Sequence, residues 1–97
     1  MDLKRFSTSN KLVIIEFWSN NCLPCKNIKP FLDEISNTYK ERLSIIRINI
    51  HDSYSTAEKY EVIEIPTFIF LKNQDIIFRM NGFKNNINFE KVVRQYI

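Results

Sequence analysis

The stretch Leu12-Val13-Ile14-Ile15-Glu16-Phe17-Trp18 constrains this chain more than any other. It is β-branched and aromatic, and apolar at odd and even positions alike, which suits a central strand covered on both faces. Behind it, Ile28, Phe31, Leu32, Ile35 and Tyr39 recur at steps of three and four and mark one apolar stripe on a helix over about residues 23–39. Leu43 to Ile50 then reads as a second strand, so the unit is βαβ, with parallel strands and a right-handed crossover. A chain that begins this way has to build a sheet with helices packed on it.

The remaining elements complete that plan. Pro24 is tolerated in the first turn of the helix, whereas Pro30 is interior, removes a backbone hydrogen bond and predicts a bend between Lys26 and Pro30. Ser53 to Tyr60 reads as a short helix capped by Asp52 or Ser53, with Ala57 and Tyr60 inward. Thr67–Leu71 and Ile76–Met80 are apolar runs on either side of Lys72-Asn73-Gln74-Asp75, an antiparallel hairpin whose turn lacks the usual glycine. Phe89, Val92, Val93, Tyr96 and Ile97 share a helical face, with Asn86 or Asn88 as the cap. The expected order is βαβαββα, an α/β architecture with a central mixed four-stranded sheet between helices and a short helical or irregular lead-in over the first eleven residues. With 97 residues, 44% of them hydrophobic, the expectation is a single domain over 1–97 with one principal site.

Charge excludes more than it suggests. Fourteen Lys and Arg face eleven Asp and Glu, a net +3. The two signs are interspersed, the pattern of a solvated surface, so no nucleic-acid partner is implied. The N-terminal residues show no apolar stretch or cleavage site of an export signal. The longest apolar run is far shorter than the roughly 20 residues of a membrane span. The expectation is a soluble, cytoplasmic protein with no membrane partner.

Asn21-Cys22-Leu23-Pro24-Cys25-Lys26 falls where the first strand gives way to the first helix. Cys22 there lies beside unpaired amide groups at a helix N-terminus, which favour the thiolate, the attacking species. Two intervening residues wound as a helical turn bring Cys25 within disulfide range, able to attack a mixed disulfide formed at Cys22. Two other readings stay open on spacing alone. A zinc site needs about four ligands, and beyond this pair the chain offers His51 but no second cysteine pair. A stapling disulfide would close too short a loop to constrain the unfolded chain much.

Glu16 is the second informative residue, because a carboxylate inside an apolar central strand is desolvated and its pKa rises. The alternative is a structural ion pair with Arg47 on the neighbouring strand. Pro66, just ahead of a strand, is conspicuous because it cannot donate to the ladder. A cis peptide is one reason for such a proline, but only about one in twenty such bonds is cis.

In order and spacing, Ile15-Glu16-Phe17-Trp18, Cys22-Leu23-Pro24-Cys25-Lys26, Pro30, Leu32-Asp33-Glu34-Ile35, Ile48-Asn49-Ile50, Lys59-Tyr60, Ile65-Pro66-Thr67, Lys72-Asn73 and Gly82 resemble the thioredoxin family. The likeness runs from about residue 11 to the end. It implies a thioredoxin-like fold that lacks the family's usual N-terminal edge strand. It also implies that Cys22 attacks substrate disulfides and that Cys25 resolves them. Glu16 takes the position of the buried acid serving the resolving thiol, and Pro66 that of a cis-proline facing the dithiol. Leu23 and Pro24 form the active-site turn, and Trp18, Asn21, Glu64, Ile65 and Gly82 border a substrate groove. The chain departs from the pattern at several of these positions. Asn21 and Leu23 replace the usual Trp and Gly around the first cysteine, the buried acid is Glu rather than Asp, and Arg47 replaces a Lys. Glu64 replaces a glycine and brings a negative charge that repels acidic partners.

The resemblance implies a protein-disulfide reductase acting on disulfide-containing protein substrates as a monomer. It implies no bound cofactor and no metal, with electrons from an external NADPH-dependent flavoprotein of the thioredoxin-reductase kind. A disulfide oxidase or isomerase is the nearest alternative. Pro24 and the absence of a histidine between the cysteines favour reduction. A non-catalytic binding module built on the same fold is the third reading.

Overall fold

A computed structural model describes residues 1–97. The apolar run forms β1 (Leu12–Trp18), followed by α1 (Leu23–Thr38), β2 (Leu43–Asn49), α2 (Tyr54–Lys59), β3 (Thr67–Lys72), β4 (Asp75–Asn81) and α3 (Asn86–Tyr96). The strands form one mixed sheet in the order β2-β1-β3-β4. β1 runs parallel to β2 and antiparallel to β3, and β3 and β4 form the antiparallel hairpin. β2 is therefore an edge, and the chain ahead of β1 supplies only a 3-10 turn, Leu3–Phe6, rather than a further strand.

Alternation along β1 divides the core in two. Leu12 and Ile14 pack with Ile28, Leu32 and Ile35 of α1 and Phe89 and Val93 of α3. Val13, Ile15 and Phe17 face the opposite way, into a layer with Leu3, Ala57, Ile69 and Leu71. This is why β1 is apolar at both parities: each face buries a layer, and each layer removes side chains worth about 1.5–3 kcal/mol apiece from water. On the α1/α3 side the filling is largely aromatic, with Phe89 at 4.9 Å from Phe68 and 5.8 Å from Phe31 between ring centroids.

Several local details have identifiable physical reasons. α1 is helical on both sides of Pro30, which sits on its exposed side, where water can serve the carbonyl left without a donor. The cap of α3 is Asn85, whose Oδ1 accepts from the Asn88 amide at 2.7 Å, rather than Asn86 or Asn88. Several asparagines offered caps in neighbouring registers, and the seating of Phe89 and Val93 in the core decides among them. Ser53 caps α2 without a side-chain bond. The glycine-free hairpin turn holds Asn73 at φ 52° and Gln74 at φ 70°. Such a turn ordinarily wants glycine. Here the lead-in braces it, with Gln74 N donating to Ser7 Oγ at 2.9 Å and Asn73 N to the Ser9 carbonyl at 3.1 Å.

Candidate active site

β1 ends at Trp18 and a short turn delivers Cys22 to the first position outside α1. Its backbone is extended, and its Sγ accepts from the Cys25 amide at 3.1 Å. Cys22 and Cys25 are joined as a disulfide with Cα atoms 5.3 Å apart. Cys25 is fully buried while Cys22 keeps 7% of its surface exposed, so an attacking or attacked sulfur can reach the pair only at Cys22. No acidic side chain occupies the first turn of α1, so the positive end of the helix dipole is not neutralised there and favours a Cys22 thiolate after reduction.

Beside the disulfide lies a groove of about 390 Å³ lined by Leu23, Pro24, Asn27, Ile28, Ile65, Pro66, Gly82 and Phe83. The Ile65–Pro66 bond is cis. The Pro66 carbonyl accepts from the Gly82 amide at 2.7 Å, and Gly82 has φ +86°, the left-handed region where a side chain is strained. Thr67 Oγ1 donates to the Glu64 carbonyl at 2.6 Å and closes the turn ahead of β3.

Of the residues singled out in the sequence, Leu23, Pro24, Ile65, Pro66 and Gly82 come together along this groove. Trp18, Asn21 and Glu64 do not line it. Trp18 is half-buried beneath the Arg47 guanidinium, 4.5 Å from the ring centroid, and Asn21 is exposed in the turn before Cys22. Glu64 lines a neighbouring hollow of about 210 Å³ with Ile50, Tyr54, Ala57 and Ile63, and Ile65 borders both cavities. A Cβ at Gly82 would stand 3.4 Å from Glu64 Oε2, so the carboxylate lies over that glycine at the groove's margin. Asn27, Ile28 and Phe83 were not singled out as site residues. Ile28 carries the core stripe of α1, which gives no sign of a second role, and Phe83 follows Gly82 in a segment without periodicity.

Glu16 is fully buried. Its Oε1 accepts from Arg47 Nε at 2.5 Å, as the register Glu16↔Arg47 requires, while Oε2 has no hydrogen-bond partner. Burial pushes its carboxyl above the ordinary range, and the Arg47 hydrogen bond and charge pull the other way without cancelling the rise. Pairing with Arg47 and a raised proton affinity thus occur in the same group. The Trp18 indole N–H is buried without a partner on the same strand. No group of three or more His, Cys, Asp or Glu side chains is placed to hold a metal ion, and no helix is long and apolar enough to cross a membrane.

Comparison with known proteins agrees with this geometry. The thioredoxin family model matches residues 3–95. Thioredoxin of Bacillus subtilis (strain 168) is 33% identical over 90 residues, covering 93% of this chain and 86% of that protein. Thioredoxin of Staphylococcus saprophyticus is 32% identical over 84 residues, covering 87% and 81% respectively. Among solved structures, the germline-specific thioredoxin Deadhead of Drosophila melanogaster superposes with a TM-score of 0.86 at 20% identity, over 93% of this chain and 85% of that one, a likeness of fold.

Proposed function

The chain belongs to the thioredoxin family and is a thiol-disulfide oxidoreductase of the disulfide-reductase type, and from that premise we propose how its residues divide the reaction. Residues 1–97 act as a single domain. In the reduced protein the Cys22 thiolate attacks one sulfur of a substrate disulfide. A Cys22–substrate disulfide forms, and the other substrate sulfur leaves as a thiolate that takes up a proton. Cys25 then loses its proton and attacks Cys22 Sγ, which expels the second substrate thiolate and regenerates the Cys22–Cys25 bond. Two electrons pass from the dithiol to the substrate.

Glu16 is the proton acceptor for Cys25, directly or through water, a role supported by its burial and its raised proton affinity. Pro66 and Ile65 form the wall against which the substrate chain lies, with Leu23 and Pro24 opposite. Trp18 and Asn21 flank the approach to Cys22, and Glu64 disfavours acidic substrates at its margin. No bound cofactor takes part. Electrons return from an NADPH-dependent flavoprotein of the thioredoxin-reductase kind, in the cytoplasm, to a monomer.

The observation that carries this reading is the asymmetric exposure of the pair at the start of α1, with Cys22 reachable and Cys25 sealed. The test is covalent trapping. Cys25→Ser accumulates a mixed disulfide with a protein substrate, seen as a mass increase removed by dithiothreitol, whereas Cys22→Ser forms none and loses turnover. Trapping through Cys25 in the Cys22→Ser protein would reverse the assignment. A Cys22–Cys25 potential near about −270 mV fits a reductase, and one near about −120 mV an oxidase.

A further inference from the structure

On β4, Arg79 is paired in register with Ile69, on the side of the sheet that packs against α2. Its guanidinium makes three hydrogen bonds: Nη1 donates to the Tyr60 carbonyl at 2.5 Å, Nη2 to the Glu61 carbonyl at 2.8 Å, and Nε to Asn81 Oδ1 at 2.9 Å. The two carbonyls belong to the end of α2. There the Glu61 amide donates to the Glu58 carbonyl at 3.0 Å and the Val62 amide to the Ala57 carbonyl at 2.9 Å, with Glu61 at φ 55°. This is the glycine-type helix stop made with a residue that has a Cβ, a conformation strained for any side-chain-bearing residue. A bidentate cation on the carbonyls at that turn offsets the strain and satisfies acceptors the helix leaves open.

From this stop the chain runs through Val62 to Ile65 and then to Pro66, the segment that forms one wall of the groove beside Cys22. At its far end the Gly82 amide, also donated from the end of β4, holds the Pro66 carbonyl. β4 therefore grips the segment at both ends, by a backbone amide at Pro66 and by one side chain at Tyr60 and Glu61.

We infer that Arg79 is a positioning residue for protein substrates: it locks the left-handed stop of α2 and so sets the height of Ile65 and Pro66 against Cys22. The inference rests on the groove being the substrate site. It concerns how an extended polypeptide is held, not how sulfur reacts, so it separates large substrates from small ones.

The test compares KM for a protein disulfide, insulin, with KM for a small one, oxidised glutathione, with dithiothreitol as reductant and the uncatalysed rate subtracted. In Arg79→Met the ratio of the two KM values rises about tenfold, the order expected when one charge-assisted contact no longer orders the wall. Adding Glu61→Gly, which takes the turn without help, restores most of the ratio. An unchanged ratio in Arg79→Met, or no recovery with Glu61→Gly, overturns the inference. Should Arg79→Met fail to fold, Arg79→Lys, which keeps the charge but loses the planar fork of donors, is read by the same two criteria. The Cys22→Ser control reports separately on the reading beneath: retained small-disulfide turnover there would sink the dithiol mechanism, whatever Arg79 does.

Discussion

Replacing Glu16 by Leu should make the oxidised protein more stable at neutral pH and leave it little changed in acid. The wild-type carboxylate is fully buried, one oxygen is paired to Arg47 and the other has no partner. Replacing both members of a buried ion pair by apolar side chains commonly gains about 1–4 kcal/mol, whereas removing one member costs about 3–5 kcal/mol when the other stays buried and unpaired. Arg47 retains 22% exposure of its side chain and its stack on Trp18, so it can be hydrated when Glu16 goes. A gain of about 2 kcal/mol near pH 8 is expected. Because burial raises the folded-state pKa above the unfolded reference of 4.5, the unfolded chain releases this proton first as pH rises. Wild-type stability therefore falls through the window from the reference value up to the raised one, by at most about 1.4 kcal/mol per pH unit, and stays low above it. The variant lacks that fall. Urea unfolding of both oxidised proteins from about pH 4.5 to about pH 8 measures the difference directly. A difference that is flat with pH refutes a raised proton affinity at Glu16, and a variant less stable than wild type near pH 8 refutes the hydration of Arg47.

Two stability predictions test the scaffold. Gln74→Gly should stabilise the hairpin by about 0.5–1 kcal/mol, because residue 74 already sits at φ 70° and glycine takes that conformation without a Cβ. A lower denaturation midpoint would show that the side chain, rather than the Ser7 brace, supports the turn. Phe89→Ala should cost about 3–5 kcal/mol in chemical denaturation, since the ring is fully buried among Phe31, Phe68, Phe70 and Phe83. A loss below about 1 kcal/mol would mean that this aromatic layer collapses around the gap.

Much of the site was legible because its signals are local. Cys22 and Cys25 lie one helical turn apart, so a spacing of three along the chain is already a statement about distance in space. Glu16 was conspicuous as the one charge in β1, and Arg47 was nameable as its partner because parallel pairing brings the two strands into register. The groove was only partly legible. Leu23 and Pro24 come from α1, Ile65 and Pro66 from the loop before β3, and Gly82 and Phe83 from the end of β4. Their meeting depends on how the strands are ordered, and residues such as Ile28 serve the core and the groove at once.

What the amino-acid order determines alone is the list of elements and their faces, since apolar periodicities of two and 3.6 residues are properties of neighbouring positions. The double burial of β1 and the helix stripe of α1 leave little choice of fold class. Tertiary structure alone decided the asparagine that caps α3, the lead-in bracing a glycine-free turn, the position of Glu64 at the groove's margin over Gly82, and the grip of Arg79 on Tyr60 and Glu61. In two of these a polar group finds a partner far along the chain: Ser7 reaches Gln74 across 67 positions, and Arg79 reaches Tyr60 across 19. Such a bond has no periodicity to announce it. It exists because packing the apolar faces brings the two groups together and removes the water that would otherwise have satisfied them.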